Sequence, residues 1–284
     1  MLSRRWILNL ALLVLIAALL LAGLVLQDAP VEETSTSISE LSANEIDRLV
    51  IEGSDGNIKL VRNAGAWIIE SPLNWPAQQE AVERLLSIVD VEAQALGDSE
   101  GVDLAPLGLQ QPLAALRLND SRLVFGTNNN IGARRYVMIE SSIYLLPDAH
   151  LAFVSQGLAG VIDRRLLPAR FKLQVLELPE LDVRRANDGS WFSTRAPHLK
   201  SAQLESLATG WQELAATRVT PLDANAEPRQ FIEAQLSGDS SVEFLVISTE
   251  PEIVIANPRA GLQYHFRADD YRRLLAATSD ENPA

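Results

Sequence analysis

The sequence predicts an α+β fold: one N-terminal transmembrane helix, then two similar, mainly antiparallel α+β units related by internal duplication. Three observations carry the prediction. A long apolar run occupies Trp6 to Leu26. Beyond residue 45, short stretches of alternating apolar and polar residues come in hairpin pairs with helical stretches between them, the pattern of antiparallel α+β units. The order of those stretches then recurs, marked each time by an N-x-G-x-W turn, once ending at Trp67 and once at Trp191.

The apolar run is 21 residues with a single polar member, Asn9. As a helix it spans roughly 30 Å, the thickness of a bilayer hydrocarbon core. Arg4 and Arg5 precede it, and Asp28, Glu32 and Glu33 follow it. That charge order places the N-terminus in the cytoplasm and the rest outside. A cleaved signal peptide is the rival reading, but its apolar region is about 7–15 residues with small residues before the cut. The best cleavage position, near Ala29, has Gln27 two places earlier. Residues 1–26 therefore read as a cytoplasmic stub and single-pass anchor. Residues 27–44, polar, acidic and rich in Ser and Thr, read as a flexible tether.

The first unit, residues 45–168, opens with a hairpin: Leu49 and Ile51, a turn at Ser54-Asp55-Gly56, then Ile58 and Leu60. Trp67-Ile68-Ile69 is a third strand. A helix is expected from Pro76, with Val82, Leu85, Leu86 and Val89 on one face. Further strands are expected at Leu113–Leu118, Leu123–Phe125, Tyr136–Ile139 and Ile143–Leu146, closed by a short helix from Pro147-Asp148. The second unit, residues 169–284, repeats the order. Strands at Val175–Leu178 and Leu181–Arg184 precede the second Trp turn. Next comes a helix with Leu204, Leu207, Ala208, Trp211 and Leu214 on one face. Strands at Phe231–Leu236, Val242–Ile247, Ile253–Ile255 and Leu262–Phe266 follow, then a last helix near Asp269–Leu275. The offset between the copies is about 120–125 residues, long enough for each to hold a small core.

Composition excludes several functions. The chain carries 24 basic and 37 acidic side chains, a net charge of −13, so a basic groove for nucleic acid is not expected. With no cysteine there is no disulfide, thiolate nucleophile or zinc ribbon. The three histidines, His150, His198 and His265, have no metal-ligand spacing and read as structural or surface residues. No metal or cofactor is implied. No nucleophile elbow, phosphate-binding loop or dinucleotide fingerprint occurs, and no catalytic residue is assigned.

The remaining binding signals are local. In Asn128-Asn129-Asn130-Ile131-Gly132-Ala133-Arg134-Arg135, backbone amides with Arg134 and Arg135 offer a site for a carboxylate or phosphate; a polar hairpin turn is the plainer reading. The acid pairs Glu32/Glu33 and Asp269/Asp270 fall in the tether and at a helix start, where negative charge suits the helix dipole. Trp67, Trp191 and Trp211 lie on expected core faces, and Trp75 beside Pro76 is placed to staple a helix entry.

Taken in order, these segments resemble the DUF4340 family, bacterial envelope proteins of unknown function. The resemblance rests on the N-terminal apolar segment and Ile46-Asp47-Arg48-Leu49-Val50-Ile51. It continues through Trp67-Ile68-Ile69-Glu70-Ser71-Pro72 and the helix near Pro76-Ala77. Leu107-Gly108-Leu109-Gln110-Gln111-Pro112 resembles the family's Gly-Leu-x-x-Pro element. Tyr136-Val137, Ile143-Tyr144-Leu145-Leu146 and Asp163-Arg164-Arg165-Leu166-Leu167 complete it. The resemblance implies a single-pass protein of the inner (cytoplasmic) membrane with its C-terminal part in the periplasm. It also implies an accessory or scaffold role beside an ABC-type permease, and it carries over no active-site residue. The alternatives are a periplasmic module binding an envelope glycan or anionic metabolite, in the cleft between the copies or at the Arg134-Arg135 loop, and a hydrolase with a dispersed site.

Overall fold

The computed structural model describes residues 12–18, 21, 35–38, 41–53, 56–129, 132–238 and 240–276. The first sheet has ten strands: β1 (Ser35–Ser37), β2 (Arg48–Gly53), β3 (Gly56–Asn63), β4 (Ala66–Ser71), β5 (Trp75–Pro76), β6 (Glu92–Asp98), β7 (Ala114–Leu118), β8 (Ser121–Asn129), β9 (Arg134–Ile139) and β10 (Ser142–Pro147). Their spatial order is β1-β6-β10-β9-β8-β7-β2-β3-β4-β5. Helix α1 (Gln79–Leu86) leaves β5, and α2 (His150–Val154) and α3 (Gly157–Val161) follow β10.

The second sheet has eight strands, ordered β13-β12-β11-β15-β16-β17-β18-β14. They are β11 (Leu173–Glu177), β12 (Asp182–Arg185), β13 (Trp191–Phe192), β14 (Arg218–Pro221), β15 (Gln230–Leu236), β16 (Ser240–Ser248), β17 (Glu252–Asn257) and β18 (Leu262–Arg267). Helix α4 (Ser201–Glu213) lies between β13 and β14, and α5 (Tyr271–Leu274) follows β18.

The expected fold class is corrected in two respects. The fold is mostly antiparallel sheet, two large sheets with short helices, where two mainly antiparallel α+β units are expected. The cause is the period-2 burial of the strands: Ile232, Ala234 and Leu236 of β15 are buried while Phe231, Glu233 and Gln235 are exposed. The N-terminal transmembrane helix is not supported either. Among the described residues no helix is long and apolar enough to cross a membrane. The longest of the named helices, α4, has 13 residues, about 20 Å against the roughly 30 Å of a bilayer core. Of Trp6 to Leu26, residues 12–18 and 21 are helical, and the others lie outside the described residues. So does much of the expected tether, within which Ser35–Ser37 pairs antiparallel with β6.

Register explains the core. Leu49 faces Leu60 and Ile51 faces Ile58 across β2 and β3, which puts all four on the buried face. Helix α1 buries Ala81, Val82, Leu85 and Leu86. It starts at Gln79 rather than Pro76, because Trp75-Pro76 is taken as a strand against Ile68-Ile69. Helix α4 buries Leu204, Leu207, Ala208 and Trp211. Trp211 donates its indole N–H to the Leu274 carbonyl at 2.7 Å and meets Phe244 edge-on at 5.1 Å. Buried residues from both sheets form one continuous apolar core.

A smaller apolar cluster of Leu109, Ala115, Val124 and Ile143 covers the other face of the first sheet, with Leu104 and Leu107 packed on it. The Leu107–Pro112 element is therefore a lid on that sheet. A Cβ on Gly126 would lie 2.2 Å from the Leu107 carbonyl oxygen, and Thr127 donates its N–H to that oxygen at 2.8 Å. The lid backbone thus rests directly on β8, and only glycine allows that approach.

The two sheets are joined by an extended strap, residues 162–167. Ile162 bridges to Ala77 on the first side, and Arg165 bridges to Ala215 on the second. Asp163 N–H donates to Pro76 O at 3.0 Å, Ala216 N–H to Arg164 O at 2.9 Å, and Leu167 N–H to Trp211 O at 3.0 Å. Leu166 and Leu167 are fully buried, and the rings of Trp75 and Phe171 meet at 4.5 Å. Residue 168, the expected boundary, lies at the end of this strap.

Candidate functional site

The strap forms one wall of a cleft of about 570 Å³ at the β4–β5 end of the first sheet. Its other walls come from β4, the β5–α1 corner and Ala215. The floor beside Trp67 is fixed by Gln79, the first residue of α1. Its side-chain oxygen accepts the Trp67 N–H at 2.7 Å, and its side-chain N–H group donates to the carbonyls of Ala77 at 2.8 Å and Trp67 at 3.1 Å. This amide, with the Ala77 N–H that also donates to the Trp67 carbonyl at 3.1 Å, continues the pairing of β4 beyond β5.

On the strap, Asp163 is buried and accepts from the Arg165 backbone N–H at 3.0 Å and from two guanidinium nitrogens of Arg165. The Asp163 hydrogen bond, with burial opposing it, raises the Arg165 guanidinium further above its ordinary range. Tyr264, fully buried in β18, has a hydroxyl without a hydrogen-bond partner. Burial, aided by the charge of Asp163, raises its pKa well above the ordinary phenol value and keeps it protonated. Arg170, at the mouth, donates to Asn74 and lies 4.9 Å from the Phe171 ring. The cleft presents guanidinium and amide groups over an apolar floor, an arrangement suited to binding.

A second constellation lies on the β14, β17 and β18 strands. His265 Nδ1 is 2.9 Å from Glu252 Oε1, and His265 Nε2 is 3.0 Å from Thr220 Oγ1. Arg218 donates to the same Glu252 carboxylate. The hydrogen bond from His265, opposed by burial and reinforced by the His265 and Arg218 charges, holds the Glu252 carboxyl below its ordinary range. Acid, imidazole and hydroxyl stand in the order of a proton relay. None of the three lines the cleft beside the strap. The relay ties edge strand β14 to its neighbours, and it escapes a local reading because three separate strands contribute to it.

Arg134 and Arg135 are adjacent on β9 and so point to opposite faces. Arg135 is buried and grips Asp148 with two bonds, Nε to Oδ1 at 2.6 Å and Nη2 to Oδ2 at 2.9 Å, while Nη1 reaches the Gly126 carbonyl at 2.5 Å. Arg134 donates to Gln94 Oε1 on β6 at 2.9 Å. The loop is a β8–β9 hairpin whose arginines bind within the chain; Asn130 and Ile131 lie outside the described residues. Glu32 and Glu33 also lie outside them, and Asp269 and Asp270 occupy a single 3-10 turn. His150 faces Ser87 at 3.3 Å, and burial lowers its proton affinity. His198 is exposed. Trp67, Trp75, Trp191 and Trp211 are all buried, which makes packing their role.

Compared with known proteins, residues 67–239, more than half of the chain, match the family described as Domain of unknown function (DUF4340). No curated protein and no solved structure matches.

Proposed function

The chain belongs to the DUF4340 family, and from that premise we propose that it is a non-catalytic accessory protein. In this reading it presents a rigid two-sheet frame to a partner, an ABC-type permease of the inner membrane, from the periplasmic side. The observation that carries the reading is the strap, which bridges to Ala77 beside β5 and to Ala215 between α4 and β14 across one continuous core. A frame of this kind holds two surfaces in fixed relation, which suits docking better than hinge closure around a substrate. Co-purification from mild detergent tests it. Recovery of permease subunits with the chain is expected. Recovery of the chain alone, under conditions that preserve other complexes, contradicts it.

The cleft favours a second reading, a ligand-binding module. Its volume lies within the range of about 300–1,000 Å³ common to small-molecule sites. Saturable binding of a small molecule, lost when Ala215 is replaced by Trp to fill the cleft, supports this reading. Binding that survives the replacement contradicts it.

A further inference from the structure

The strap and the segment after it place Arg164, Arg165 and Arg170 on the cleft of a chain whose net charge is −13. Arg165 is neutralised by Asp163. Arg170 is held by the uncharged Asn74 and stacks on Phe171. Arg164 is half-buried, and among the described residues its guanidinium has no hydrogen bond and no ion pair. It also borders a small adjoining pocket together with Arg84, and no carboxylate lines that pocket. Against the two guanidinium groups of Arg164 and Arg170, which have no carboxylate partner, the cleft sets one carboxylate outside the Asp163–Arg165 pair, that of Glu80. A half-buried cation left without a counter-charge is unfavourable, and an anion from outside relieves it. The guanidinium fork matches the two oxygens of a carboxylate or phosphate. Ile68, Pro76 and Pro168 supply the apolar surface beside it.

We propose that this cleft binds an oxyanion-bearing ligand, a carboxylate or a phosphate, with Arg164 as its main contact, Arg170 as the second, and its apolar part against Ile68, Pro76 and Pro168. The proposal rests on the ligand-binding reading of the cleft and adds the chemical class to it.

Calorimetric titration of the full-length chain with citrate, inorganic phosphate and neutral maltose tests the proposal. At least one anion binds saturably, more weakly as salt rises, and maltose does not. Citrate alone identifies a carboxylate ligand, and phosphate alone a phosphate ligand. Arg164→Gln weakens binding on the order of tenfold or more, Arg164→Lys recovers part of it, and Arg229→Gln, far along the chain on an exposed turn, changes nothing. Circular dichroism checks that each variant folds; should Arg164→Gln fail, Arg170→Gln at its exposed position gives the same readout. No saturable binding of either anion, or wild-type affinity in the arginine variants, overturns the proposal. Binding of maltose without either anion overturns it too, while leaving the cleft a ligand site.

Discussion

In the first sheet the indole of Trp67 lies under the guanidinium of Arg62 at 5.0 Å, and the Trp67 amide donates to the side chain of Gln79, the first residue of α1. In the second sheet Trp191 lies under Arg185 at 5.8 Å, and its amide donates at 2.9 Å to the hydroxyl of Ser201, the first residue of α4. The same hairpin is thus used twice, with an arginine on the outgoing strand, a glycine turn, a buried tryptophan and a helix whose first side chain caps the edge. What differs is the closure. Gln79 makes two more bonds and reaches Ala77, beside the strap. Ser201 has no such reach, and the second hairpin closes instead on a buried acid. Asp182 accepts five hydrogen bonds: from Ser193 and Thr194 hydroxyls, Thr194 and Arg195 amides, and the Arg184 side chain, all at 2.6–3.0 Å. One hairpin is built to join the other sheet and border a cleft. The other is built to lock itself.

Removing the lock is the largest expected effect. Asp182 is fully buried, so Asp182→Ala leaves its donors unpaired and costs about 3–5 kcal/mol, read from urea unfolding. Burial alone would raise the Asp182 carboxyl, but the bonds from Thr194, Arg195, Ser193 and Arg184 together hold it far below its ordinary range. Its contribution is therefore present above about pH 4 and is lost as the pH falls through the folded value. Asp182→Asn, which carries no such titration, loses stability less steeply than the wild type below about pH 4; parallel acid titrations followed by circular dichroism check this.

A middle-sized effect separates the two caps. Gln79→Ala leaves partly buried groups of Trp67 and Ala77 unpaired and costs about 2 kcal/mol, whereas Ser201→Ala removes one bond and costs about 1 kcal/mol. Equal losses would mean that the extra bonds to the strap side contribute nothing. The smallest effect is at the arginines. Arg185→Gln costs about 0.5 kcal/mol, the value of an exposed cation–π contact. Arg62→Gln costs more, about 1 kcal/mol, because Arg62 also donates to the carbonyls of Ala43 and Asn44. Thermal unfolding of the two variants side by side ranks them.

Much of this was legible in the sequence where burial follows a simple period. The alternation at Leu49, Ile51, Ile58 and Leu60 gives the first hairpin, and the α4 stripe from Leu204 to Trp211 gives its buried face. The N-x-G-x-W turns mark both tryptophan hairpins. Strand β6 was not legible, because most of its side chains are exposed and pairing with β1 and β10 holds it in place. Nor was β14, a four-residue edge ending in Pro221. The site was less legible than the fold. The motif Asp163-Arg164-Arg165 is visible, but the bridging of its segment to Ala77 and Ala215 at once depends on residues about 50–90 positions away. Arg134 and Arg135 stand out in the sequence as a charged pair, yet the alternation of a strand sends Arg135 to Asp148 and Arg134 to Gln94.

Hydrogen exchange of the wild type and Asp182→Ala, compared peptide by peptide, tests most directly whether the two sheets behave as one body. The account predicts that the variant lowers protection in β2–β4 of the first sheet by the same free energy as in β15–β17 of the second, because the strap and the shared core make the sheets open together. Loss of protection confined to the second sheet, with the first unchanged, would contradict it.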